Sequence, residues 1–175
     1  MQTVYILSGP AGVGKSTTSR ALVSALKNSA YISGDDVSHM HVNSRHKPWE
    51  SKLELSLIWS NILSLTQNFV SHGINVVVDY VTFPNEAYWL RERLKELNAN
   101  VVYTVLWAEP EILLSRDQLR RPEDQMGERC LILIEEFKES GLKSNHVLDT
   151  SQHRGDAIHV TIEEIMNNKQ YRLVD

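Results

Sequence analysis

A chain of 175 residues is long enough for one globular domain with a sizeable core and short for two. Its 42% hydrophobic and 23% charged content is ordinary for a folded protein and argues against disorder. A net charge of −4 leaves no general basic footprint for duplex nucleic acid, so only a local basic groove could serve that purpose.

The single cysteine, Cys130, rules out an internal disulfide, and its setting in CLILIEEF reads as a small apolar side chain buried on a helix. No apolar run approaches the roughly 20 residues needed to span a bilayer. No charged n-region or small-residue cleavage site stands at the N-terminus, so the expected compartment is the cytoplasm.

In chain order, VYIL (residues 4–7) reads as a first strand. A helix follows, with Thr18, Ala21, Leu22, Ala25 and Leu26 on one face. AYIS (residues 30–33) reads as a second strand. The polar stretch 35–50, interrupted by Pro48, reads as an irregular connection. A long helix is expected over 52–71, its face carrying Leu55, Ile58, Trp59 and Ile62. INVVVD (residues 74–79) is a β-branched run of the kind found in strands covered on both faces.

Pro84 opens the next helix at a position where a missing N–H costs little. VVYTVLW (residues 101–107) is the fourth strand. EPEILLSRDQLRR begins a helix that Pro122 must end or kink, and 126–140 is helical again. HVLDT (residues 146–150) is a fifth strand, and Asp156 is a candidate cap for a last helix bearing Ile158, Ile162 and Ile165. This alternation predicts an α/β fold, a five-stranded parallel sheet with helices on both faces, in one domain.

The strongest chemical signal is GPAGVGKST. Gly9-x-x-x-x-Gly14-Lys15-Ser16 fits the phosphate-binding pattern G-x-x-x-x-G-K-[ST], and it falls after a strand and before a helix. The backbone N–H groups around Gly9, Ala11, Gly12, Val13 and Gly14 would point inward at an anion, and the helix start adds its positive dipole end. Lys15 would reach the β- and γ-phosphates, the Ser16 hydroxyl would ligate Mg²⁺, and Thr17 would donate to another phosphate oxygen. ATP with Mg²⁺ is the expected nucleotide. No N-K-x-D guanine-reading stretch is present.

After the second strand comes SGDDVSH. Strand C-terminal ends face the ligand crevice in such sheets, which puts Asp35 and Asp36 near the phosphates. One of them could take the proton of an attacking hydroxyl.

Together, GPAGVGKST and YISGDDVSH resemble the small-molecule kinases of the P-loop superfamily. Adenylylsulfate kinases carry G-D-N-V-x-H at the second site. Gluconate kinases carry G-D-x-x-H with a later R/K-P-W, matched here by Lys47-Pro48-Trp49, although the stretch 38–45 departs from their pattern. Chloramphenicol phosphotransferase has a comparable strand-end aspartate. The resemblance implies that Asp35 is the base, and that Asp79, at the end of the third strand, holds Mg²⁺ with Ser16. It also implies that Tyr80 and Phe83 line the acceptor pocket. A short lid, roughly 116–130, would bring Arg120 or Arg116 over the transferring phosphoryl group. The loop after the fifth strand, with Thr150, Ser151 and Gln152, would touch the adenine.

Arg45 is a candidate grip for an anionic acceptor group, and Trp49 is the tryptophan expected near substrate. His39, His41 and His46 lie close in sequence without a zinc-like ligand pair. The expected activity is transfer of the γ-phosphate of ATP to a hydroxyl of a small molecule. Two rivals stand beside it: a nucleoside, nucleotide or polynucleotide 5′-end kinase, and an ATP-binding regulator with slow hydrolysis.

Overall fold

The computed structural model describes residues 1–151 and 157–174, with Asp124 described by its backbone alone. Five strands form one parallel sheet: β1 (Thr3–Ser8), β2 (Ser29–Ser33), β3 (Asn75–Asp79), β4 (Asn100–Trp107) and β5 (Val147–Asp149), in the order β2-β3-β1-β4-β5. The expected parallel sheet with helices on both faces is what the chain forms.

Strand alternation sorts the core into two layers. On one face Val4, Ile6, Val76, Val78, Val101, Tyr103 and Val105 pack against α3 (Lys52–Ser71) and α4 (Pro84–Leu94). On the other, Tyr5, Leu7, Val77, Val102 and Leu106 pack against α1 (Lys15–Ala25), α5 (Pro110–Gln118) and α7 (Ile158–Asn167). Side chains such as Ile6, Leu7 and Leu106 are fully buried, each stabilising the fold by about 1.5–3 kcal/mol relative to exposure.

The 20-residue periodic pattern of α3 gave its bounds correctly, and its start is fixed by Ser51, whose hydroxyl accepts from the Glu54 N–H at 3.2 Å. Stretch 35–50 is not wholly irregular. Its first residues form a short helix, α2 (Gly34–His39), because the Ser33 hydroxyl caps the Asp36 N–H at 3.1 Å. Six residues are too few to show a helical period. The helix expected over 126–140 begins later, as α6 (Arg129–Glu139), because Gly127 takes φ +53° in a turn ahead of it. The Asp156 cap lies outside the described residues.

Register positions the site. Leu7 in β1 and Ser33 in β2 are both level with Asp79 in β3. The chain therefore leaves three adjacent strands at one height, about 4.8 Å apart. The glycine-rich loop, α2 and the 80–83 loop, each leaving one of these strands, must share one edge of the sheet.

Candidate active site

Gly9 opens the loop after β1 at φ +136°, and a Cβ there would overlap the Leu106 carbonyl oxygen. Only glycine fits. Gly12 and Gly14 also take positive φ, at +80° and +102°, so the backbone curls before α1 begins at Lys15. The half-buried Lys15 ammonium lies across this curl, donating to the Gly9 and Pro10 carbonyls at 3.0 Å each. Ser16 and Thr17, in the first turn of α1, are exposed.

Asp79 points to the α1 side of the sheet, two residues beyond Val77 on the same face. It is 5% exposed, and one of its oxygens accepts from the Tyr31 hydroxyl at 2.7 Å. Burial, with Asp79 beside it, pushes the Tyr31 hydroxyl up to about 12, so it stays a donor. Tyr31 escaped the sequence reading. Its signal was its place two residues before the end of β2, on the face shared with Asp79.

Lys15, Asp79 and Asp35 act on one another electrostatically. Burial pulls the Lys15 ammonium below its ordinary value, and the Asp79 and Asp35 carboxylates oppose that pull. Asp35 keeps solvent contact, yet the protein around its carboxyl raises its pKa; Lys15 draws it back down and Asp79 raises it. Asp36 is exposed, and its N–H donates to the Ser33 hydroxyl that caps α2.

Asp35 is placed by the glycine before it. A Cβ on Gly34 would overlap the Tyr80 ring. Gly34→Ala should therefore lower the melting temperature, at an overpacking cost of about 1–3 kcal/mol, and lower turnover as Asp35 shifts. Thermal melts and initial rates on one preparation check both; wild-type values in both would show that the contact relaxes freely.

The 80–83 loop is stapled to the sheet by groups far apart in sequence. Ser8 donates to the Thr82 carbonyl at 2.7 Å and accepts from the Thr82 N–H at 2.8 Å, and Tyr103 donates to the same carbonyl at 2.7 Å. Tyr80, only 7% exposed, meets Trp59 edge-on at 5.9 Å. Phe83 packs on Phe137 at 4.6 Å, and the Glu86 carboxylate caps its N–H. A groove of about 310 Å³ lies between α3 and α4, lined among others by Leu55, Trp59 and Trp89.

In the segment between α2 and α3, Arg45 makes three hydrogen bonds to Ser38, to its carbonyl and hydroxyl, at 2.9–3.1 Å. Buried Glu54 holds His41 at 3.0 Å, which keeps its carboxyl below the usual range. Trp49 is 52% exposed, with Lys47 and Arg129 against its ring at 5.6 and 5.4 Å. It thus touches the start of α6.

The two arginines of α5 and its end differ. Arg116 gives its guanidinium to two carbonyls, Val13 in the phosphate loop and Thr150 after β5, each at 3.3 Å. It ties those loops together. Arg120 pairs with buried Asp117 at 3.4 Å and lies within electrostatic reach of Lys15. Thr150 spends both its N–H and its hydroxyl on the Trp107 carbonyl, and the Ser151 hydroxyl accepts from the Glu109 N–H at 3.2 Å. Gln152 lies outside the described residues. Cys130 is fully buried, and burial raises its thiol, as expected of a packing side chain.

Among the described residues no cluster of three or more His, Cys, Asp or Glu side chains could cage a metal. Ser16 and Asp79 offer hard oxygen donors beside the phosphate loop. That limited set suits Mg²⁺, which keeps waters and shares its shell with phosphates. Among the described residues no helix is long and apolar enough to cross a membrane.

A family model described as an AAA domain matches residues 4–132. No curated protein matches the chain in sequence. Solved structures match its fold at low identity. The tunicamycin resistance protein of Deinococcus radiodurans shares 18% identity over 94% of each chain, with a TM-score of 0.65. Shikimate kinase from Bacteroides thetaiotaomicron shares 16% over 95% of this chain and 99% of its own, at 0.67. A gluconokinase from Sinorhizobium meliloti 1021 shares 15% over 93% and 89%, at 0.62.

Proposed function

The chain belongs to the AAA domain family and has the three-layer fold of P-loop kinases, and on that footing we propose that it moves the γ-phosphate of ATP to a hydroxyl of a small molecule. What supports this reading is that Asp79, which ends β3, and Asp35, just beyond the adjacent end of β2, both act electrostatically on Lys15 of the phosphate loop. A hydrolysing switch needs Lys15 and Asp79. A base beside them is what a hydroxyl acceptor needs.

Gly9 to Thr17 cradle the polyphosphate through backbone N–H groups and the α1 dipole. Lys15 offsets charge on the β- and γ-phosphates. Ser16 and Asp79 would hold Mg²⁺, which neutralises phosphate charge when bound. Asp35 takes the acceptor's proton as its oxygen attacks the γ-phosphorus and the bond to the ADP oxygen breaks. Arg120 covers the equatorial oxygens, where its planar fork suits the developing charge.

Arg116 holds the phosphate loop and the Thr150–Ser151 segment in register for the nucleotide. Residues 116–130 act as the lid of a single domain. The acceptor lies among Asp36, Arg45, Tyr80 and Phe83, with Trp49 at its edge. Two of the fold-similar proteins are named gluconokinase and shikimate kinase, which agrees with a small hydroxylated acceptor.

The test is ATP consumption with panels of sugars, sugar acids, nucleosides, aminoglycosides and oligonucleotides. Stimulation by a small hydroxylated compound is expected. Stimulation by oligonucleotide ends alone would move the reading to an end kinase, and none by any acceptor would leave a regulator.

A further inference from the structure

Asp117 is a buried charged group that the proposed chemistry leaves unused. It sits in the last turn of α5 and is 2% exposed. One carboxylate oxygen accepts from the Met126 N–H at 2.9 Å and the Gly127 N–H at 2.8 Å, across the lid turn. The other also accepts from the Met126 N–H, at 3.1 Å, and meets Arg120 at 3.4 Å. Its Cβ lies 3.6 Å from where a Cβ on Gly12 would stand, so the same side chain backs the phosphate loop.

Burial works to raise this carboxyl, but the Gly127 and Met126 amides and the Arg120 guanidinium outweigh it and keep it charged. We infer that Asp117 is a positioning residue that aims Arg120 at the transferring phosphoryl group. The inference rests on the kinase reading above and deepens it.

An untethered arginine on the lid would sample many rotamers in water, and fixing it would cost entropy at the moment of reaction. Asp117 fixes it beforehand, from a base locked to both the lid and the phosphate loop. Among the described residues the Arg120 side chain is held through Nη1, which leaves the rest of the fork for an anion.

Asparagine separates this role from a structural one. Its carbonyl can keep both backbone N–H bonds while its NH₂ group faces Arg120 and cannot hold it. The lid turn has further support from Gln125, which donates to the Gln118 and Arg120 carbonyls at 3.2 and 3.1 Å.

The experiment is calorimetric titration of wild type, Asp117→Asn, Arg120→Ala and the double variant. The ligands are Mg·ADP alone and Mg·ADP with aluminium fluoride, which mimics the phosphoryl group in flight. ADP affinity should stay within about twofold in every variant, and the mimic should bind about tenfold more weakly in Asp117→Asn. The double variant should match Arg120→Ala, since both lesions remove one function. The melting temperature of Asp117→Asn should stay within about 3 °C of wild type. Should that variant unfold, Asp117→Glu moves the charge by one methylene and should show the same selective loss.

Wild-type affinity for the mimic in the Asp117 variants, additive losses in the double variant, or an Arg120→Ala protein that binds the mimic normally would each overturn the inference while leaving nucleotide binding in place. Failure of the wild type to bind Mg·ADP would remove the kinase reading and the inference together.

Discussion

Lys15→Ala should abolish turnover, with a fall of about 10³-fold or more in kcat, while the circular dichroism spectrum stays native. The ammonium lies over the phosphate loop, held by the Gly9 and Pro10 carbonyls at 3.0 Å each. It is the one cation of the loop itself, and phosphoryl transfer is governed by where positive charge stands. The fold has little to lose, because burial already disfavours this charge and pulls its pKa down. The variant should also leave Asp35 and Asp79 without their shared counter-charge. Any residual activity should then show its acid limb at higher pH than wild type, because Lys15 is what draws the Asp35 carboxyl down. Full turnover in this variant would remove the proposed mechanism.

Asp35→Asn should lower kcat by about 10²–10⁴-fold and change the KM for ATP little. The asparagine keeps the shape and loses the proton-accepting charge. Equal effects on kcat and on ATP binding would instead make Asp35 a nucleotide ligand.

Wild-type kcat should fall with acid through a pKa above the ordinary aspartate value of 3.8, since surrounding protein raises the carboxyl. The same shift has a sign for stability. A carboxyl whose folded pKa is raised contributes stability below its unfolded pKa and loses it as pH rises through the folded value. At neutral pH Asp35 therefore weighs against the fold, and Asp35→Asn should melt no lower than wild type. Solvent contact screens the effect, so any gain should stay below about 1 kcal/mol. A less active and no less stable variant is the mark of a residue kept for chemistry rather than for packing.

Legibility in the sequence tracked the distance between cooperating residues. The phosphate loop was readable because its glycines, lysine and serine are contiguous and their backbone geometry is local. The run ending in Asp79 was readable because a strand buried on both faces needs an unbroken apolar stretch. Twenty residues of period gave α3 its limits; six could not reveal α2.

The scaffolding was hidden because its partners are remote. Ser8 meets Thr82 across 74 positions, Tyr31 meets Asp79 across 48, and Arg116 meets Val13 across 103. Nothing at Arg116 distinguishes a clamp on two carbonyls from a lid arginine until the loops are placed. Asp117 was one charge among several in SRDQLRR, and only its burial and its three partners mark it. The proposed acceptor site was least legible, because Arg45 and Trp49 come from one loop and Tyr80 and Phe83 from another, held by hydrogen bonds and packing and not by any spacing.

The most direct test of the central claim, that the corner between β1 and α1 holds a polyphosphate beside a catalytic carboxylate, is titration of the native protein with Mg·ATP in a calorimeter. One site per chain is predicted, with binding lost or strongly weakened in Lys15→Ala and retained in Asp35→Asn. No heat at millimolar nucleotide from protein with a native circular dichroism spectrum would contradict it.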